Sequence, residues 1–191
     1  MILIVDNRVS INTTKASLTQ TLIRSLENTI IVTYTYDVDN IPWHQIDCII
    51  FSGSNLRLSE TTTHPVVHFA LNILNLSVQK TIPCVGICFG CQLMCYSLGS
   101  SIQPRNNINN VIHRYHSSLA NDKMYFNHYD GIYNFDCENC ITTVHQFEKF
   151  LVEFSHPTNR WIGIQWHPEK SKKGVDWLKK TISFLQNNVH K

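Results

Sequence analysis

Short, wholly apolar runs alternate along this chain with longer segments whose apolar residues recur every three or four positions. The opening Ile2-Leu3-Ile4-Val5 run stops at the polar pair Asp6-Asn7, as a strand buried on both faces of a parallel sheet would. Over residues 13–26, Leu18, Leu22 and Leu26 recur four apart, predicting a helix packed on that strand. The β-branched residues of 30–34 predict a second strand. Residues 47–51 predict a third, ended by the turn Ser52-Gly53-Ser54-Asn55. A helix follows over 64–76, with Val67, Leu71 and Leu74 on one stripe. Residues 82–87 predict a fourth strand, and 89–98 a helix closed by Gly99. Strands alternating with helices predict an α/β fold, a mostly parallel central sheet with helices on both faces.

The texture changes past Ser100. Residues 103–110 are polar and Asn-rich, which predicts a surface loop. Strand-like runs at 123–127, 141–146, 150–154 and 161–166 follow, and they predict a few antiparallel strands in the C-terminal half. Residues 175–189 form a closing helix with Leu178, Ile182 and Leu185 on its apolar side. Without an internal repeat or a dividing linker, residues 1–191 read as one domain.

Composition narrows the class. Hydrophobic residues make up 43% and charged residues 16%, a globular balance rather than a disordered one. The net charge of +2 is scattered. Its tightest cluster, Lys170, Lys172, Lys173, Lys179 and Lys180, reads as a solvated loop and helix, so no nucleic-acid partner is expected. The apolar opening is too short for a signal peptide or a membrane span, so a cytoplasmic protein without a membrane partner is expected. The glycosylation patterns at Asn12 and Asn75 then have no meaning. Seven cysteines, an odd count, fit reduced cytosolic thiols better than a disulfide scaffold.

Candidate chemistry concentrates in two stretches. Gly86-Ile87-Cys88-Phe89-Gly90 has the form G-x-C-x-G at a predicted strand-to-helix junction. Such a turn strains its central residue, and glycines on either side relieve the crowding. It also aims the Cys88 sulfur at a helix N-terminus, which favours thiolate over thiol. The Phe89 N–H would face a developing oxyanion. Taken alone, the motif also suits a small-residue turn that merely packs strand against helix. The second stretch ends in Trp166-His167-Pro168-Glu169. Pro168 biases His167 toward extended backbone, and residues two apart on an extended chain project to one side. Glu169 can therefore orient the His167 ring, leaving the other nitrogen for Cys88. On its own this is as readily a surface turn. The two stretches together make a nucleophile, a base and an orienting carboxylate.

These residues resemble the class I glutamine amidotransferases, and the resemblance spans nearly the whole chain. It is carried by the ILIVDN opening, the Ser52-Gly53-Ser54 turn, GICFGCQ at 86–92 and GIQWHPEKS at 163–171. It implies the flavodoxin-like fold of that family, with Cys88 as nucleophile, His167 as base and Glu169 as its partner. It implies oxyanion donors at Gly53, Ser54 and Phe89, and a substrate pocket bordered by Gln92. The implied substrate is L-glutamine, with ammonia passed to a separate synthetase chain and no metal or organic cofactor. Phe126-Asn127-His128-Tyr129-Asp130 resembles the Ser-His-x-Asp segment of GMP-synthase glutaminases, placing Asn127, His128 and Tyr129 at the substrate. Arg114-Tyr115-His116-Ser117 is the competing match, of anthranilate-synthase type; His116 is otherwise an exposed loop histidine.

The chain departs from that pattern in two places. Gly53-Ser54-Asn55 stands where the family has Gly-Gly-Pro or Pro-Gly-Pro, and Cys91 stands where a larger residue is usual. Other readings remain open at this level. They are a free-standing γ-glutamyl hydrolase, a non-catalytic glutamine-binding homologue, and a four-thiolate zinc site from Cys88-x-x-Cys91 and Cys137-x-x-Cys140.

Overall fold

The computed structural model describes residues 1–9, 18–105, 112–145 and 148–187. Its centre is a seven-stranded sheet. The strands in chain order are β1 (Ile2–Val5), β2 (Thr29–Val32), β3 (Cys48–Phe51), β4 (Cys84–Ile87), β9 (Ile141–Val144), β10 (Leu151–His156) and β11 (Trp161–Ile164). Their spatial order is β2-β1-β3-β4-β11-β10-β9. The first five of that order run parallel, while β10 and β9 are antiparallel additions at one edge. Among the described residues two antiparallel pairs lie outside it: β5 (Ser101–Pro104) with β8 (Asp130–Tyr133), and β6 (Ile112–Ser117) with β7 (Asp122–Asn127).

Among the described residues four α-helices cover the sheet: α1 (Leu18–Ser25), α2 (Pro65–Gln79), α3 (Phe89–Ser97) and α4 (Lys172–Asn187). Alternation within the buried strands sorts them onto two faces. Leu3, Val5, Ile49 and Phe51 pack with Val67, Ile73 and Leu74 of α2 and Phe89 and Leu93 of α3. Ile2, Ile4, Ile50 and Ile87 pack with Leu22 of α1 and Leu178, Ile182 and Leu185 of α4. The apolar runs and the helix stripes thus meet as their periodicities predict.

Several expectations are corrected. Residues 103 and 104, expected in a loop, belong to β5 and pair with Gly131 and Asp130; residues 106–110 lie outside the described part, as do 13–17 of the first predicted helix and 188–189 of the last. His116 is exposed as expected but sits on β6, because that strand finds a partner in β7 that its own polar sequence does not announce. Nor are all the thiols reduced: Cys137 and Cys140 form a disulfide, their spacing bringing the two sulfurs together in the turn before β9.

The parallel order puts the C-terminal ends of β1, β3, β4 and β11 side by side, which is where α/β sheets hold their sites. Close approach there depends on two glycines. A Cβ on Gly90 would lie 2.3 Å from the Phe51 carbonyl oxygen, and one on Gly86 would lie 2.7 Å from the Gly90 carbonyl carbon. Both obstacles are backbone and cannot swing away. Gly90→Ala is therefore expected to destabilise the fold at or above the top of the usual overpacking range of about 1–3 kcal/mol. A urea midpoint unchanged from the parent protein would contradict this packing.

Candidate active site

Cys88 is the single residue between β4 and α3, with φ 52 and ψ −103. A non-glycine residue in such a region costs on the order of 1–3 kcal/mol and persists only when its surroundings fix it. Here its N–H donates to the Ile164 carbonyl at 2.7 Å. Its carbonyl accepts from the Gln92 N–H and from the Gln165 side-chain amide, each at 3.0 Å. Strand β11 and helix α3 thus hold both ends of its peptide unit. The sulfur stands at the mouth of α3, where the helix dipole favours negative charge, and it lies 3.7 Å from the Asn127 carbonyl oxygen.

His167 follows β11 and is buried. Its N–H donates to the Tyr125 carbonyl at 2.8 Å, and its Nδ1 lies 2.9 Å from Glu169 Oε1. The partnership forms by a different local route from the one expected. His167 is extended, but Pro168–Lys170 is a 3-10 turn, so Glu169 reaches the ring by curling back over it. Burial alone would push the His167 pKa down. The charge and hydrogen bond of the Cys88 sulfur, joined by Glu169, more than reverse this and hold the imidazole well above its ordinary value of 6.5. Gly53, at the end of β3, completes the group: a Cβ there would lie 3.2 Å from His167 Cε1 and 3.7 Å from Cys88 Cβ. Among the described residues the N–H groups of Gly53, Ser54 and Phe89 donate to no protein acceptor, which leaves all three free for a ligand oxygen.

The remaining candidates surround this centre in different ways. The Gln92 amide donates to the Asp130 carbonyl at 3.1 Å and to Gln165 Oε1 at 3.2 Å. It thereby ties α3 to the segment after β7. Asn127 presents its carbonyl to the sulfur. The His128 ring turns inward, its Nδ1 2.7 Å from the Asp130 carbonyl and its edge on Phe150. Tyr129 is 47% exposed, and the Arg57 guanidinium lies 4.5 Å from its ring centre. The Ser54 hydroxyl donates to the Asn7 carbonyl at 2.6 Å.

Four residues that the sequence reading passed over support the site. Gln165 links Cys88 to Gln92, as above. Buried Arg105 pairs with Glu148 at 2.6 Å, and its N–H donates to the Tyr129 carbonyl at 2.9 Å. Buried Glu153 accepts from Trp166 Nε1 at 2.6 Å, from the N–H of Ser118 at 3.1 Å and of Leu119 at 3.3 Å, and from the Ser117 hydroxyl. It fixes the residue immediately before His167. A carboxylate inside the apolar run at 150–154 was its signal, because a buried charge must be satisfied. Asn7 reads in sequence only as the stop of a strand.

The zinc arrangement does not assemble from its four cysteines. Among the described residues, Cys137, Cys140 and His156 lie within ligand distance of one another, and Cys88 and Cys91 are not with them. No described helix is long and apolar enough to cross a membrane.

Comparison with known proteins bears on the family and the fold. Residues 3–182 match the family model "Glutamine amidotransferase class-I". A Thermoplasma acidophilum protein provisionally named as one of the subunits of GMP synthase has the same fold, with TM-score 0.73 at 20% identity over 98% of this chain and 95% of its own. A glutamine amidotransferase of Thermotoga maritima aligns with TM-score 0.63 at 15% identity, over 100% of this chain and 86% of its own. A search of curated proteins finds no match.

Thiol chemistry gives a direct test. Burial pushes the Cys84 thiol up to about 12 and raises Cys48 and Cys95 as well, whereas Cys88 stands at a helix mouth beside an imidazole. Iodoacetamide at neutral pH is expected to label Cys88 before any of those three, as read by peptide mass spectrometry; earlier labelling of another would contradict the geometry. Linkage gives a second test. Because the folded pKa of His167 is raised, its stabilisation is fully present below 6.5 and fades as pH rises through the folded value. The stability deficit of His167→Gln should therefore be largest in mild acid and shrink toward alkaline pH; a deficit that grows with pH would reverse the sign.

Proposed function

Because this chain belongs to the class I glutamine amidotransferase family, we propose that it hydrolyses L-glutamine to glutamate and ammonia, and that the ammonia goes to a separate synthetase subunit. The observation that carries the reading is the Cys88 sulfur at a helix mouth beside a buried imidazole whose other side is held by Glu169 at 2.9 Å. The thiolate attacks the side-chain amide carbon, and the carbonyl π pair moves onto oxygen. That oxyanion takes hydrogen bonds from the Phe89 N–H and from the Gly53–Ser54 turn. His167, which holds its proton because its pKa is raised, protonates the departing nitrogen as the C–N bond breaks. Ammonia leaves and a γ-glutamyl thioester remains on Cys88. His167, now neutral, takes a proton from water as the water attacks the thioester. Collapse of that second tetrahedral species releases glutamate and returns the thiolate and imidazolium. None of these steps calls on a metal or an organic cofactor.

The substrate's α-amino and carboxylate groups are assigned to the 127–129 segment and Gln92 lines the pocket. The Asn127 carbonyl beside Cys88 favours this segment over the one at 114–117, whose His116 is exposed on β6. It is the counterpart expected of a GMP-synthase-like glutaminase. Arg105 and Asp130 brace it, the latter by accepting from the N–H and hydroxyl of Ser59 at 3.0 and 2.8 Å.

Ammonia release from glutamine, measured with and without a GMP-synthase-type synthetase subunit, tests the reading. The protein alone is expected to turn over slowly and the synthetase to raise the rate. Cys88→Ala should abolish activity in both settings. Equal turnover by that variant would remove Cys88 from the mechanism.

A further inference from the structure

The turn after β3 holds no proline, yet it must present backbone N–H groups to a fixed point above Cys88. Side chains supply the constraint. Asn7, fully buried one position beyond Asp6 at the end of β1, meets the turn through three of its polar groups. Its N–H donates to the Ser52 hydroxyl at 3.0 Å, its side-chain amide donates to the Ser52 carbonyl at 2.7 Å, and its carbonyl accepts the Ser54 hydroxyl at 2.6 Å. The Ser54 oxygen in turn accepts the Leu56 N–H at 3.1 Å, and the Ser52 hydroxyl donates to the Gly53 carbonyl at 2.9 Å. The three bonds to Asn7 bridge 45 to 47 positions of sequence, so they are tertiary, whereas the other two lie within the turn itself.

The pattern leaves some groups out. Every one of these bonds avoids the N–H of Gly53 and of Ser54, and Asn7 Oδ1 is buried without a partner. The amide orientation has one good solution, since turning it over would set two oxygens, Oδ1 and the Ser52 carbonyl, against each other. A Cβ added to Gly53 would lie 3.2 Å from His167 Cε1 and 3.7 Å from Cys88 Cβ, so the turn faces both residues and a small rotation of it changes where its donors aim.

We propose that Asn7 and the Ser54 hydroxyl are positioning residues that clamp residues 52–56, so that the Gly53–Ser54 N–H groups meet the oxyanion formed on Cys88. The inference rests on the glutamine-hydrolysis reading and adds to it the device that aims one side of the oxyanion site. Neither side chain touches the substrate; both act through the backbone between them.

The test compares two rates in Asn7→Ala, Asn7→Asp and Ser54→Ala, with the synthetase subunit present. One is glutamine hydrolysis, which builds a carbonyl oxyanion. The other is alkylation of Cys88 by iodoacetamide, which needs the thiolate but builds none. The kcat for hydrolysis is expected to fall about ten- to a hundredfold, short of the roughly 10²–10³ lost when such a donor is removed outright. KM and the alkylation rate should stay within about twofold of the parent. Unchanged kcat in a protein that is otherwise active would overturn the clamp while leaving the hydrolysis reading intact. A parallel fall in alkylation would also overturn it, because the side chains would then be supporting the nucleophile. A parent protein that is alkylated at Cys88 but never releases ammonia from glutamine would fail the hydrolysis reading, and the clamp with it. Should Asn7→Ala not fold, Ser54→Ala, a change at a half-buried hydroxyl on the surface side of the turn, decides alone.

Discussion

The backbone of Cys88 is forced into a conformation that side chains avoid, and most of the site's geometry follows from that bend. It is what lets β4 turn directly into α3 with the sulfur outside both. The strain is compensated by contacts that only this arrangement allows. Gly86 and Gly90 let α3 lie against the backbones of β4 and β3, and the Cys88 peptide is hydrogen-bonded at both ends. A net gain of about 0.5–1.5 kcal/mol per hydrogen bond is enough, over three bonds, to offset a penalty of about 1–3 kcal/mol. The bend is thus stable only while β11 stays in register with β4, since Ile164 and Gln165 supply two of those bonds. The strand that delivers His167 is the strand that holds Cys88 in place. Cys88 and His167 are coupled through the sheet before any side chain of one meets the other.

Electrostatics at the site runs as a competition whose outcome the structure fixes. Burial disfavours imidazolium, and on its own it would leave His167 neutral. Cys88 and Glu169 together outweigh this, and each is anchored by its own backbone: Cys88 by the elbow, Glu169 by the 3-10 turn. An ion pair in such surroundings is strongly destabilised by loss of one member, because the other is left charged and unsolvated. The proton on His167 is therefore a property of the assembled trio, not of the histidine. In the proposed reaction that proton goes to the departing nitrogen.

Much of this was legible in the residues. The fully apolar strands and the stripes of α2 and α4 gave the layers, because burial on two faces and on one face leave different periodicities. G-x-C-x-G showed the elbow because glycine is needed wherever two backbones touch. His-Pro-Glu indicated the ring and its carboxylate, though not the 3-10 turn, since the next residues' tertiary contacts with α4 decide between extended and curled backbone. Less legible were features held by distant partners. β6 and β5 carry polar sequences and become strands only because β7 and β8 offer open edges. Arg105 lies in an Asn-rich stretch, and what buries it is Glu148, forty-three positions away. The disulfide was missed for a related reason: whether two thiols join depends on the turn before β9, which composition does not describe.

The turn over Cys88 shows how different chemistry can meet one constraint. A proline limits a turn chiefly by narrowing the unfolded chain, an effect of about 0.4–1 kcal/mol. A buried hydrogen bond of about 0.5–1.5 kcal/mol acts instead on the folded state. Either can fix residues 52–56 thermodynamically, yet they differ in what they couple. Proline holds the turn irrespective of its neighbours. Bonds from Asn7 hold it only relative to the end of β1. A shift of β1 against β3 would move the Gly53–Ser54 donors while Cys88 and His167, set by β4 and β11, stayed where they are. On the proposed reading, precision at the oxyanion side of this site is a property of the β1–β3 register, transmitted by the bonds of Asn7 to Ser52 and Ser54.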